Sequence, residues 1–273
     1  MNIFDSLERA VLWTIDCFYK RLPQKYPDKK RLYDCKIISH RGEHDNIDVL
    51  ENTLAAFDQI KEKGIWGIEL DIRWTKDLFP VVFHDKNFKR LFKSDVELSK
   101  ITMDDLKTKF PAVPSLSEVI IKYGGKLHLM VEIKEEVYPD PVYQNNLLQD
   151  LFSSLEPGKD FHFISLSPDM FELIDFVPAT TFLPVAQLNV RQLSEISIQE
   201  KYGGILGHYL LLTKSYLIKH KMQNQMVGTA YIKSKNSLFR ELNRGVEWIF
   251  SNNAIEVQSI RNSCLEKYGS SPI

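Results

Sequence analysis

The chain is poor in cysteine, with three in 273 residues (Cys17, Cys35 and Cys264) and no Cys-x-x-Cys spacing. That excludes a cysteine-rich zinc site and a disulfide framework, and it suits a reducing compartment. A basic surplus is missing too: 35 Lys and Arg stand against 36 Asp and Glu, so the electrostatic footprint of a nucleic-acid binder is absent. No apolar run approaches the ~20 residues that cross a bilayer. The opening Met1-Asn2-Ile3-Phe4-Asp5 lacks the basic start and unbroken apolar stretch of a signal peptide, so a cytoplasmic location is expected. No Gly-x-Gly-x-x-Gly turn follows an apolar run, which removes the main support for a dinucleotide fold. Repeats and low-complexity tracts are lacking as well. What remains, 44% apolar and 26% charged, is ordinary globular composition.

Residues 2–21 carry Phe4, Leu7, Val11, Ile15, Phe18 and Leu22 at helical spacing, followed by a polar connector with Pro23 and Pro27. This amphipathic helix is expected to pack over one end of the main domain. The alternative is a peripheral membrane contact, with Trp13 and Phe18 among headgroups, against which Asp5, Glu8 and Asp16 count. Residues 1–35 are thus read as helix and connector, and 36–273 as one barrel domain. From Lys36 onward short apolar runs alternate with helical patterns through about eight units, which predicts an α/β fold of the (β/α)8 barrel type. Between Ile72 and Val81 there is no room for a crossover helix, so a hairpin is expected there. A symmetric turn would set Asp71 opposite His84.

Four polar clusters close apolar runs: His40-Arg41-Gly42, Glu69-x-Asp71, His84-Asp85 and Glu132-x-Lys134. Strand interiors are apolar, so charged groups gathered at strand ends need a reason. Strand alternation puts Glu69 and Asp71 on one face and Ile68, Leu70 and Ile72 on the other. Three carboxylates without cysteine favour a hard cation, Mg²⁺ or Ca²⁺ with Mn²⁺ admissible, at Glu69, Asp71 and Glu132. The plainer alternative is that Glu69 or Asp71 pairs only with Arg73 or Lys134.

Two histidines beside carboxylates suit the base and the acid that phosphodiester cleavage requires. Arg41 can clamp a phosphate through parallel hydrogen bonds, and Gly42 permits close backbone approach or a positive φ. Glu51 is read as reaching into the same pocket, while Asn52 and Thr53 are read equally as a cap of the helix that follows or as part of the site. His208 closes a run and is placed to line the site, whereas His128 comes too early in its run to reach the mouth.

These stretches resemble the glycerophosphodiester phosphodiesterase family of metal-dependent barrel enzymes. The likeness rests on residues 38–42, 51–57, 67–77, 80–85, 113–119 and 131–134, with Gly245–Ile249 similar to the family's closing segment. The resemblance implies a small-molecule phosphodiester substrate, cleaved to an alcohol and glycerol 3-phosphate through a cyclic phosphate formed by the glycerol 2-hydroxyl. It implies His40 and His84 as general base and acid, Glu69, Asp71 and Glu132 as metal ligands, and Arg41 and Lys134 at the phosphate. Leu50 stands where the family commonly has Pro. The family's late Trp-Thr falls at Ala230-Tyr231, so Tyr231 is expected to replace the indole wall of the glycerol pocket. An Asp typical of the last strand is replaced around Ser251-Asn252-Asn253. These departures leave open a lipid or glycan-linked phosphodiester as substrate, or a barrel that only binds phosphate esters.

Overall fold

A computed structural model describes residues 18–269. The strands are β1 (Lys36–His40), β2 (Gly67–Trp74), β3 (Pro80–Val82), β4 (His128–Ile133), β5 (Phe161–Ser165), β6 (Phe182–Ala186), β7 (Gly204–His208), β8 (Met226–Ala230) and β9 (Trp248–Ser251). All but β3 run parallel in the order β1-β9-β8-β7-β6-β5-β4-β2, and pairing of β1 with β2 closes the ring. Helices follow the strands on the outside, giving the expected (β/α)8 barrel.

Alternation sorts each strand's residues. Ile37, Ile68, Leu70, Leu129, Val131, Phe163 and Ile249 face the helices, whereas Ile38, Met130, Ile164, Leu206 and Phe250 pack in the barrel interior. Inward positions nearer the strands' C-terminal ends are polar, and this is what creates a site there.

The floor of the barrel is also polar, and it holds a hydrogen-bonded pair of histidines. His128 Nδ1 lies 2.7 Å from the Lys159 carbonyl and its Nε2 lies 2.9 Å from His162 Nδ1. The carbonyl can only accept, so His128 is protonated on Nδ1 and its Nε2 receives the His162 Nδ1–H. Trp66 stacks on His128 at 4.2 Å. Burial lowers the two imidazole pKa values from 6.5 to about 4 for His128 and about 3 for His162. The unfolded chain therefore binds more protons than the fold between those values and 6.5, and stability falls as pH drops through that window. We expect a slope of about 1.4 kcal/mol per pH unit for each histidine, measured as urea midpoints between pH 4.5 and 7.5. His162→Asn should flatten it.

Three corrections to the sequence reading follow. The hairpin forms, but its register pairs Ile72 with Val82 and Trp74 with Pro80. Its connecting loop, residues 75–79, is odd-numbered and centred on Asp77, with Leu78 at φ +62°. Asp71 consequently lies opposite Phe83, whose N–H donates to the Asp71 carbonyl at 2.9 Å, and not opposite His84. Residues expected to be connector include a helix, Lys29–Asp34, capped by Asp28. A helix not foreseen, Ala254–Gly269, packs on it and on β1.

The predicted helix over 2–21 lies outside the described residues except for its end. There Tyr19 meets Tyr209 edge-on at 5.8 Å and sits under the Arg240 guanidinium, so this end rests on the barrel. Among the described residues no helix is long and apolar enough to cross a membrane.

Candidate active site

Register alone assembles the centre of the site. His40 is the parallel partner of Glu69, and Asp71 of Glu132. Three neighbouring strands thus aim inward side chains near their C-terminal ends at one point. Glu69, Asp71 and Glu132 each offer an oxygen within 4.8 Å of the others, and all three are buried.

Like charges this close need compensation. Lys134 supplies part of it, with Nζ 2.6 Å from Asp71 Oδ1 and a hydrogen bond to Glu132 Oε1. Arg41 adds its Nε, 3.1 Å from Asp71 Oδ2. Burial alone would raise the Asp71 pKa, yet Lys134 and Arg41 hold it below the carboxylate range. Glu69 is left out of this balance. Burial, then the Asp71 and Glu132 charges, push its pKa well up, and its buried Oε1 has no hydrogen-bond partner. An orphaned oxygen within an all-oxygen donor set is what a hard divalent cation fits, so these residues match the metal expected at this position. The alternative of simple ion pairing is half right: Asp71 pairs with Lys134, while Arg73 turns away to Glu136 and the His84 carbonyl.

The two histidines have opposite partners. His40 Nδ1 lies 2.7 Å from Asn252 Oδ1, an acceptor, so its proton sits on Nδ1 and Nε2 keeps its lone pair. That Nε2 is 3.8 Å from Glu69 Oε2, over the carboxylate cluster. Burial, with the Arg41 charge beside it, lowers the His40 pKa to about 3. At the other wall His84 Nδ1 lies 2.7 Å from Asp85 Oδ1. Burial would raise the Asp85 pKa, but its bonds to His84 and Arg90 bring it to about 2, so this partner is an ionised carboxylate.

Arg41 stands at φ +63° and donates its backbone N–H to the Glu69 carbonyl at 3.0 Å. The following turn presses on helix Leu54–Glu62: at Gly42, φ +81°, an added Cβ would lie 2.7 Å from Ala56 Cβ, so only glycine fits. Arg41 Nη1 donates to Glu51 Oε1 at 2.9 Å. Glu51 is buried, and although burial opposes ionisation, Arg90, Arg41 and Asn46 bring its pKa to about 2. Glu51 therefore lies beside the site as the partner of Arg41 and Arg90. Tyr231, at φ +69°, sits with its ring 5.8 Å from His40 and 5.9 Å from that of His208. The three rings thus lie together on one side of the site.

Three further polar residues belong to the site, and the sequence gives them no definite role. Thr53 caps the helix through Ala56 N, which frees Asn52 to donate to Asp71 Oδ2 at 2.7 Å. Asn252 was noted only as a departure. Arg90 carries no local signal in the sequence. Asn52 stands in the left-handed region, φ +57°, which asparagine tolerates, and that was the single local signal.

Comparison with known proteins agrees with this geometry. Residues 40–255 match the glycerophosphoryl diester phosphodiesterase family. A glycerophosphodiester phosphodiesterase of Caldanaerobacter subterraneus subsp. tengcongensis is 36% identical over 125 residues, 41% of this chain and about half, 51%, of that relative's length. The crystal structure of a glycerophosphodiester phosphodiesterase from Thermotoga maritima superposes with a TM-score of 0.68 at 20% identity, covering 83% of this chain and 98% of that one. An Oleispira antarctica phosphodiesterase, solved with the product sn-glycerol-3-phosphate, gives 0.67 at 20% identity, covering 85% and 99%. At such identity these structures speak for the shared fold.

Proposed function

Because the chain belongs to the glycerophosphoryl diester phosphodiesterase family, we propose that it hydrolyses a glycerophosphodiester to an alcohol and glycerol 3-phosphate. The observation that carries this reading is the contrast between two imidazoles flanking a carboxylate triad. His40, with a neutral amide on Nδ1 and an open Nε2, is built to accept a proton. His84, backed by an ionised carboxylate, has the partner of a proton donor. Groups set apart in this way divide into base and acid.

In the first half-reaction His40 Nε2 takes the proton of the glycerol 2-hydroxyl as its oxygen bonds to phosphorus. The bond from phosphorus to the alcohol oxygen breaks, and His84 protonates that oxygen. Water then opens the cyclic phosphate with the proton transfers reversed, and the 2-oxygen leaves as a hydroxyl. Arg41 and Lys134 contact the phosphoryl oxygens, while Tyr231 lies against the glycerol. A divalent cation held by Glu69, Asp71 and Glu132 would supply positive charge to the phosphoryl group.

Incubating the protein with glycerophosphocholine tests the reaction. Choline and glycerol 3-phosphate are expected; glycerol and phosphocholine would place the cleavage on the other side of phosphorus and overturn the proposal. Metal binding has its own readout. Saturating Mg²⁺ or Ca²⁺ should stabilise the fold by about 2.7 kcal/mol at a hundredfold excess over Kd, seen as a rise in Tm that EDTA reverses. Glu69→Gln should abolish most of that rise.

A further inference from the structure

Beyond the groups assigned so far, one guanidinium ties the two walls of the site together. We propose that Arg90 is a positioning residue that holds the proton donor and the phosphate clamp in a single geometry. It extends the proposed function and rests on the roles given there to His84 and Arg41.

Arg90 lies on the one-turn helix Lys89–Phe92 in the excursion between β3 and β4. Its flanking residues are fixed. Phe88 stacks on Phe110 at 4.0 Å and packs against Phe83 at 4.9 Å, and Phe92 meets Phe88 edge-on. These rings belong to a core separate from the barrel's, with Val81, Leu98, Ile101, Leu106 and Val113. That core anchors the backbone on either side of Arg90 and leaves its side chain to reach the site.

All three nitrogens of the guanidinium are engaged, through three of its five N–H groups. Nη2 lies 2.6 Å from Glu51 Oε1 and Nη1 lies 3.0 Å from Oε2, a two-pronged bond. Nε donates to Asp85 Oδ2 at 2.7 Å. The second oxygen of Asp85 faces His84 Nδ1, and Glu51 Oε1 also receives Arg41 Nη1. His84, Asp85, Arg90, Glu51 and Arg41 therefore form one continuous chain. Its members come from the loops after β1 and β3, which share no other link of this kind among the hydrogen bonds described. With Nε and both Nη nitrogens turned to Asp85 and Glu51, Arg90 acts through these neighbours. A planar fork can bridge two carboxylates at fixed angles, whereas an ammonium cannot.

A positioning role for His84 has a signature that general damage lacks. Removing a proton donor slows departure of a poor leaving group much more than departure of a good one. The test compares glycerophosphocholine with the p-nitrophenyl diester of glycerophosphate, whose phenolate leaves without a proton. Arg90→Met should lower kcat on glycerophosphocholine roughly 30- to 100-fold and on the p-nitrophenyl diester less than about fivefold. KM should rise on both substrates, because Arg41 loses its support. Arg90→Lys keeps the charge and should fall between wild type and Arg90→Met.

His84→Ala is the control. If it shows the leaving-group dependence and Arg90→Met does not, the role of Arg90 is overturned while the reading of the site stands. If His84→Ala slows both substrates equally, His84 is not the proton donor, and the proposal falls with that reading.

Discussion

Replacing His40 with alanine should lower turnover of a glycerophosphodiester by roughly three to four orders of magnitude, with KM little changed. The size follows from what else is near. Glu69, the group facing His40 Nε2 at 3.8 Å, is held by burial and two neighbouring carboxylates in a state that favours a proton or a cation. It cannot stand in as a base. His84 has its Nδ1 committed to Asp85 and lies at the other wall. The proton acceptor proposed here thus has no substitute among the neighbouring groups described. Added imidazole should restore part of the rate by occupying the space of the missing ring.

Asn252→Ala should cost about tenfold, because the ring stays but its Nδ1 loses the acceptor that fixes the tautomer. Steady-state kinetics of the two variants, with Tm measured in parallel, checks both. A fall of less than tenfold in His40→Ala would remove His40 from the chemistry.

Much of this site was legible before any coordinates, and the reason is register. The sequence places these groups at strand ends, with Glu69 and Asp71 on one face, and the barrel's register then sets His40 beside Glu69 and Asp71 beside Glu132. Turns are harder to read. An even or an odd loop reads alike in sequence, and the five residues 75–79 moved the partner of Asp71 from His84 to Phe83. Loop residues that act at a distance leave less trace still. Arg90 shows no periodicity and follows the unremarkable Lys89, and its importance appears only when Glu51 and Asp85 converge on it. The helix Ala254–Gly269 escaped notice because it buries few positions, Ala254, Val257, Gln258 and Cys264, and one of those is polar. Its packing depends on Tyr26, whose hydroxyl donates to the Cys264 carbonyl from far along the chain.

Lys134→Met should separate stability, metal affinity and catalysis in one protein. The ammonium is buried between Asp71 and Glu132, with Nζ 2.6 Å from Asp71 Oδ1. Removing it leaves three buried carboxylates with Arg41 as their nearest cation. Breaking a buried pair from one side destabilises by roughly 3–5 kcal/mol, so the metal-free variant should melt well below wild type at neutral pH.

The sign of the pH effect is fixed. Asp71 has a lowered pKa in the fold, so the stability it gains from Lys134 is present above the unfolded value of 3.8 and is lost as pH falls below it. The gap between variant and wild type should therefore narrow in acid. Divalent cation should have the opposite preference. With no ammonium competing for Asp71 Oδ1 and Glu132 Oε1, the ion gains two unopposed ligands, and the rise in Tm with Mg²⁺ or Ca²⁺ should be larger than in wild type. Activity should nonetheless fall by about three orders of magnitude, since the phosphoryl group loses a fixed cation that metal binding does not replace. A variant that binds metal more tightly and catalyses far worse assigns Lys134 to the phosphate. One that keeps full activity once loaded with metal would show that its charge serves only to hold the empty carboxylates together.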